Sequence, residues 1–156
     1  VDNNISQNWI LKQYLEQITV LSKEHDIYLN DLFLKLGIPK NTNQDQIHTL
    51  VAWEAVPNSQ SFFFDFENNE DIIKDFFQQS KIKQSKDLIL EMGLEFPIIQ
   101  IPTQLFINHW EDFVAANGFM GILCIDTENN LLFEFSDDSS YLLYSNFTIQ
   151  NLNPNQ

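Results

Sequence analysis

The stretch from Thr103 to Ile149 constrains the fold more than any other part of the chain. It opens with a helical stripe, Leu105, Phe106, Trp110, Phe113 and Val114, and Gly118 stands just past its end. That spacing predicts a helix from Thr103, as N-cap, to about Asn117, closed by a glycine free to turn left-handed. Three short apolar runs follow, 119 to 126, 131 to 136 and 141 to 149, separated by the polar turns "TENN" and "DDSS". Runs of this length with turn residues between them predict an antiparallel meander. On the middle strand, alternation puts residues 131, 133 and 135 on one face and 132, 134 and 136 on the other. On the last strand Tyr141, Leu143, Phe147 and Ile149 share one face, and Leu142 and Tyr144 share the other with Asn146 and Thr148. One face is thoroughly apolar and belongs to a core. The other mixes Leu132, Glu134, Leu142 and Tyr144.

The rest of the chain reads less uniformly. Ser6 as N-cap, then Trp9, Ile10, Tyr14, Leu15, Ile18 and Leu21, predict a helix over about 7 to 25. A second helix is expected over about Leu29 to Leu36, ended by Gly37 and Pro39, with "PKNTNQDQ" as a loop. Ile47 to Val56 is compatible with a helix or with a buried strand. "SFFFDF", Ser61 to Phe66, reads as a strand. "NNEDIIKDFFQQ" reads as a helix capped by Asn68 or Asn69. "SKDLILEMG" reads as a short helix ending at Gly93. "FPIIQIP" must be extended, because prolines 97 and 102 bar a helix through it. The tail "QNLNPNQ" is expected to fray. The fold class is therefore α+β: a helical N-terminal part, then an antiparallel sheet that includes the C-terminal helix and meander. With 156 residues, one domain over 1 to 156 is expected, with a helical subdomain over 1 to 60 as a variant of that reading.

Composition limits the function classes. The chain has no arginine; all eight basic residues are lysines, and the net charge is −14. Such a chain repels nucleic acid and anionic membranes, and it lacks the planar fork that clamps phosphate. Glycine is scarce, at 4 residues, and no phosphate-binding glycine motif occurs. No apolar run is long enough to span a bilayer. The single cysteine, Cys124, permits no internal disulfide and fits a reducing, cytoplasmic setting.

No catalytic constellation is visible. In "HWEDF", only His109 and Asp112 share a helix face, and no nucleophile accompanies them. Cys124 sits inside an apolar strand near acids, which disfavours its thiolate. His25, His48 and His109 lack zinc-ligand spacing. Asp126, Glu128 and Asn130 alternate as in a calcium loop, but Leu131 takes the required glycine position and Asp137 the required glutamate position, so a hairpin turn is the better reading. No enzyme activity, metal or cofactor is expected.

Charge is the informative feature. From Asp87 to Gln156 there are ten acids and no lysine. A mixed aromatic and acidic sheet face suits a basic protein partner, with anchors at its centre and charge for steering. The same pattern is compatible with a helix covering that face while the acids keep the protein in solution.

"FINHWEDFVAANGFMGILCIDTENNLLFEFSDD", a helix carrying W-x-x-F followed by a meander, resembles in style the small acidic immunity proteins of bacterial toxin–immunity systems. The resemblance covers about the last third of the chain. It implies a non-enzymatic protein that sits on a basic toxin such as a nuclease. Asp126, Glu128, Glu134, Asp137 and Asp138 would then mimic phosphates, with Tyr141 and Tyr144 as anchors. The alternative is an acidic cytosolic secretion chaperone, which offers a hydrophobic edge such as "SFFFDF" to an effector and usually dimerises. Monomer and homodimer both stay open.

Overall fold

In a computed structural model, the described residues are 3–42, 48–63, 70–137 and 142–149. The fold is α+β. Seven antiparallel strands form one sheet in the order β1-β4-β3-β5-β6-β7-β2. These are β1 (Thr19–Ser22), β2 (Gln60–Phe63), β3 (Asp87–Glu91), β4 (Ile98–Pro102), β5 (Ile122–Asp126), β6 (Leu131–Phe135) and β7 (Leu142–Ser145). The helices are α1 (Asn3–Ser6), α2 (His25–Leu36), α3 (Glu70–Gln79), α4 (Thr103–Asn108) and α5 (Trp110–Ala116).

Both faces of the sheet are covered. On the first, Leu88, Leu90, Ile99, Phe133, Phe135 and Leu143 pack under α3, α4 and α5. Trp110 lies flat on Phe135, with ring centroids 5.7 Å apart. Every member of the anticipated helical stripe, Leu105, Phe106, Trp110, Phe113 and Val114, is buried here. The alternation of β6 and of the last strand holds as well: Phe133, Phe135, Leu143, Phe147 and Ile149 all belong to this core. On the second face, Ile89, Leu123, Ile125 and Leu132 pack under Leu29, Leu32 and Phe33 of α2, with Val51 and Trp53 beside them.

Several local readings are corrected. The helix expected over 7 to 25 is replaced by a 3-10 helix at Leu11–Gln17 and by β1, while α1 lies before it. Ser6 is the last residue of α1 rather than an N-cap, and it is Asn8 Oδ1 that accepts from Ile10 N and Leu11 N, each at 2.9 Å, at the start of the 3-10 turn. Trp9, placed on the apolar stripe, is 67% exposed. Thr19 and Val20 are β-branched and find backbone partners on β4, which overrides the helical spacing. The 1 to 60 stretch thus gives the common sheet one whole edge strand and the first residue of the other.

"SKDLILEMG" is not a helix. Its centre is β3, paired with β4 on one side and β5 on the other. A strand covered on both faces has no polar alternation, so periodicity cannot separate it from a buried helix. The helix expected over 103 to 117 is interrupted at His109, whose amide bonds the Leu105 and Phe106 carbonyls before α5 restarts. Thr103 is the first helical residue rather than the cap, and its hydroxyl bonds Ser85 Oγ at 3.1 Å. The segment expected as helix or strand over 47 to 56 is neither, where described: a single bridge joins Val51 to Lys40, and a 3-10 turn spans Trp53–Ala55. The second helix starts four residues earlier than expected, at His25, and ends at Gly37 as anticipated. Parts of the "PKNTNQDQ" loop, of "SFFFDF" and of the "DDSS" turn, the Asn68 or Asn69 cap and the tail lie outside the described residues. Among the described residues, no helix is long and apolar enough to cross a membrane.

Gly121 joins α5 to β5 at φ +92, where a Cβ would meet the Phe135 carbonyl oxygen at 3.0 Å. Gly93, at φ +113, has open space at the same position. Gly121→Ala is therefore expected to cost about 1–3 kcal/mol in urea unfolding, and clearly more than Gly93→Ala, which carries backbone strain alone. Equal costs for the two variants would show that the close approach to Phe135 is not felt.

Candidate functional site

The site is built outward from Glu134. Alternation along β6 turns this residue to the second face, beside Leu132. There it is 4% exposed. Its Oε2 accepts from Leu50 N at 2.7 Å, and its Oε1 accepts from Val51 N at 3.2 Å and Trp53 Nε1 at 2.9 Å. Trp53 then stacks on Tyr144, at 5.7 Å and 12°. One carboxyl group thus fastens an irregular segment across the sheet. Three further backbone bonds tie that segment down, Asn41 N to Leu50 O at 2.8 Å, Ala52 N to Pro39 O at 2.9 Å and Asp137 N to His48 O at 2.8 Å.

Between this segment, the start of α2 and the end of the sheet lies a cleft of about 580 Å³. His25 and Glu91 lie at its side, Glu134 behind, and Leu94, Met120 and Asp137 line it too. His25 is buried as the first residue of α2. Its Nε2–H donates to Glu91 Oε2, and its Nδ1–H donates to Asp26 Oδ1 at 2.8 Å. The bond to Glu91 raises the His25 pKa; burial works against it, and Asp26 adds to the rise. A charged imidazolium donating from both nitrogens suits this arrangement. Neither nitrogen is left to take a proton from a guest. Glu91 is 6% exposed, and no donor among the described residues meets its Oε1.

Burial raises the Glu134 pKa to about 8; the three N–H donors pull it back and the Glu91 charge adds to the rise. Behind it, burial and Glu134 push the Cys124 thiol well above its ordinary value. A protonated, fully buried thiol is not a nucleophile. Among the described residues, no group of three or more His, Cys, Asp or Glu side chains is placed to hold a metal ion.

The acids singled out in the sequence part company here. Asp126 is buried and serves its own turn, accepting from Glu128 N at 3.0 Å, Asn129 N at 3.3 Å and Asn129 Nδ2 at 2.8 Å. That makes 126 to 131 a hairpin turn. Glu128 is exposed at the same end. Glu134 is internal, and Asp137 stands at the other end of β6, by the cleft. Tyr144 is half-buried against Trp53. Asp138 and Tyr141 lie outside the described residues. The exposed mixed face expected from Leu132, Glu134, Leu142 and Tyr144 is corrected: α2 and the segment around Trp53 cover it. In "HWEDF", Asp112 accepts a 2.6 Å bond from Tyr14, and His109 rests on the Tyr14 ring at 5.4 Å.

Reading the sequence missed His25, Asp26, Glu91, His48, Leu94 and Met120. His25 and Glu91 are 66 positions apart, so no local spacing links them. The one available signal was Glu91 itself, a lone acid in an apolar run. Set against known protein families, characterised proteins and solved structures, the chain matches none.

The two titrations have a consequence for stability. The folded state holds the Glu134 proton more tightly than an unfolded chain, where it leaves near the ordinary value of 4.5. That contribution is complete below 4.5 and is lost as pH rises through about 8. His25 acts in the same direction, its contribution present below 6.5 and lost as pH rises through the raised folded value. Glu134→Gln removes only the first. The stability advantage of the native chain over this variant should shrink by at least ~1 kcal/mol between about pH 5 and pH 8. An advantage that stays constant or grows with pH, in urea titrations across that range, contradicts the assignment.

Proposed function

We propose that this protein is a non-enzymatic binding protein whose partner is a basic protein, of the kind that neutralises a cationic toxin such as a nuclease. The observation that carries this reading is the cleft at the end of the sheet. Asp26, Glu91 and Asp137 line it, and Leu94 and Met120, 74% and 60% exposed, flank it. Exposed apolar groups beside convergent acids suit a partner that is held by contact and drawn in by charge. The net charge of −14, with no lysine beyond Lys86, extends the attraction over the C-terminal half. His25 with both nitrogens engaged and Cys124 buried as a thiol favour binding over catalysis. The acids of 126 to 138 contribute to this reading only in part, through Asp137 at the cleft and Glu128 as outlying charge.

One observation favours the secretion-chaperone alternative. β2 is an edge strand, paired on one side with β7, and its Phe63 is 61% exposed. A sheet edge with an exposed aromatic suits addition of an extended peptide.

Immobilised protein exposed to lysate from its source, washed at low and then high salt, separates the two. The basic-partner reading predicts one basic protein retained at low salt, and an association rate that falls about tenfold or more as ionic strength is raised. Retention of unfolded segments of secreted proteins, indifferent to salt, would move the assignment to the chaperone.

A further inference from the structure

We infer that the cleft receives the cationic end of a lysine or arginine side chain, with Glu91 Oε1 as its acceptor. The inference takes the source of that side chain from the basic-partner reading above. It starts from an unmet acceptor. The Glu91 side chain is buried, with 8% exposure. One of its oxygens is held by His25, and no donor among the described residues meets the other. A buried acceptor without a donor costs free energy, and such groups are rare in folded proteins. Glu91 lines the cleft, the side from which a donor would come to it. The neighbouring Glu134 poses no such demand, because three N–H groups already fill it.

Charge selects the sign of the guest. The Asp26–His25–Glu91 array sets two carboxylates on one imidazolium, and Asp137 stands nearby. The one lysine that lines the cleft, Lys40, is turned to Asn30, with Nζ donating to Oδ1 at 3.1 Å. An anion would meet surplus negative charge; a monocation offsets it.

Shape selects the class. About 580 Å³ is far more than a bare ion needs and falls within the usual range for organic guests. Leu29, Leu50, Leu94 and Met120 give the walls apolar surface. A lysine or arginine pairs such a surface with its methylene stem and carries its charge at the tip. A metal ion fits poorly, since no ligating group of three exists among the described residues.

The test is a titration of the ¹⁵N-labelled full chain, followed by amide shifts. The probes are Nα-acetyl-lysine N-methylamide, its arginine counterpart, the citrulline counterpart as a neutral isostere of arginine, and putrescine. Saturable shifts centred on the Glu91, Gly93 and Gly121 amides are expected with the lysine and arginine probes. The citrulline probe should bind at least ~10-fold more weakly, about 1.4 kcal/mol. Glu91→Gln should abolish the response, but it also disturbs the His25 pair. Leu94→Lys is therefore the second variant: it changes a well-exposed residue and sets a tethered cation beside the cleft, so it should weaken both cationic probes by ~10-fold or more while leaving the rest of the spectrum in place. Absence of saturable cleft shifts, or an equal response to citrulline, overturns the inference even if a basic protein is recovered from lysate; the basic-partner reading then survives with another docking surface. Cleft shifts without any basic partner sink that reading and leave the cation site standing. Tighter binding of putrescine than of either capped residue overturns the assignment to a side chain.

Discussion

The arrangement rests on one buried carboxyl group. The segment from His48 to Trp53 crosses the second face of the sheet with a single bridge, at Val51, linking it to other backbone as a strand would be linked. Its inward N–H groups still need acceptors, since a buried donor without one costs about as much as a lost hydrogen bond. Glu134 supplies both its oxygens to three of them. Trp53 is thereby held over Tyr144, Val51 joins the core under α2, and the cleft gains its back wall. A glutamate on an interior strand looks like an electrostatic liability. Here it is the acceptor that lets an irregular segment replace a helix as cover for the sheet.

This explains why the charge pattern could be seen in the sequence while its meaning could not. Alternation on β6 correctly sets Glu134 opposite the Phe133 and Phe135 face, and the α4–α5 stripe correctly names five buried residues. Those are local signals of period two and period 3.6. Whether the Glu134 face is open or covered depends on residues 50 to 53, more than 80 positions away, two of whose three donors are backbone N–H groups common to any residue. β3 was obscure for a related reason: wedged between β4 and β5 with both faces covered, its run of Leu88, Ile89 and Leu90 carries no alternation to read. β1 shows tertiary pairing overriding a helical spacing that is itself real. The site-forming pair of His25 and Glu91 is wholly a product of the fold, joining the start of α2 to the end of β3.

The acids of this chain therefore do different work according to depth. Asp126 and Glu134 are consumed by structure, one closing a hairpin and the other fastening a layer. Glu128 and many others stay at the surface, where they set the long-range field. Glu91 stands between these groups, buried yet half-satisfied beside an open cleft. A net charge counts all three kinds alike; only the third stands buried beside an open cleft with one oxygen unmet among the described residues.

The central claim is that Glu134 holds the 50 to 53 segment as firmly as a strand would. Native-state hydrogen exchange of the Leu50 and Val51 amides and the Trp53 indole N–H tests it most directly. The account predicts protection close to that of the central strands, although two of these residues belong to no helix and no extended ladder. Exchange at the rate of an exposed loop, with β5 and β6 still protected, would contradict it, and would mean that this face of the sheet is covered by something other than the Glu134 bonds.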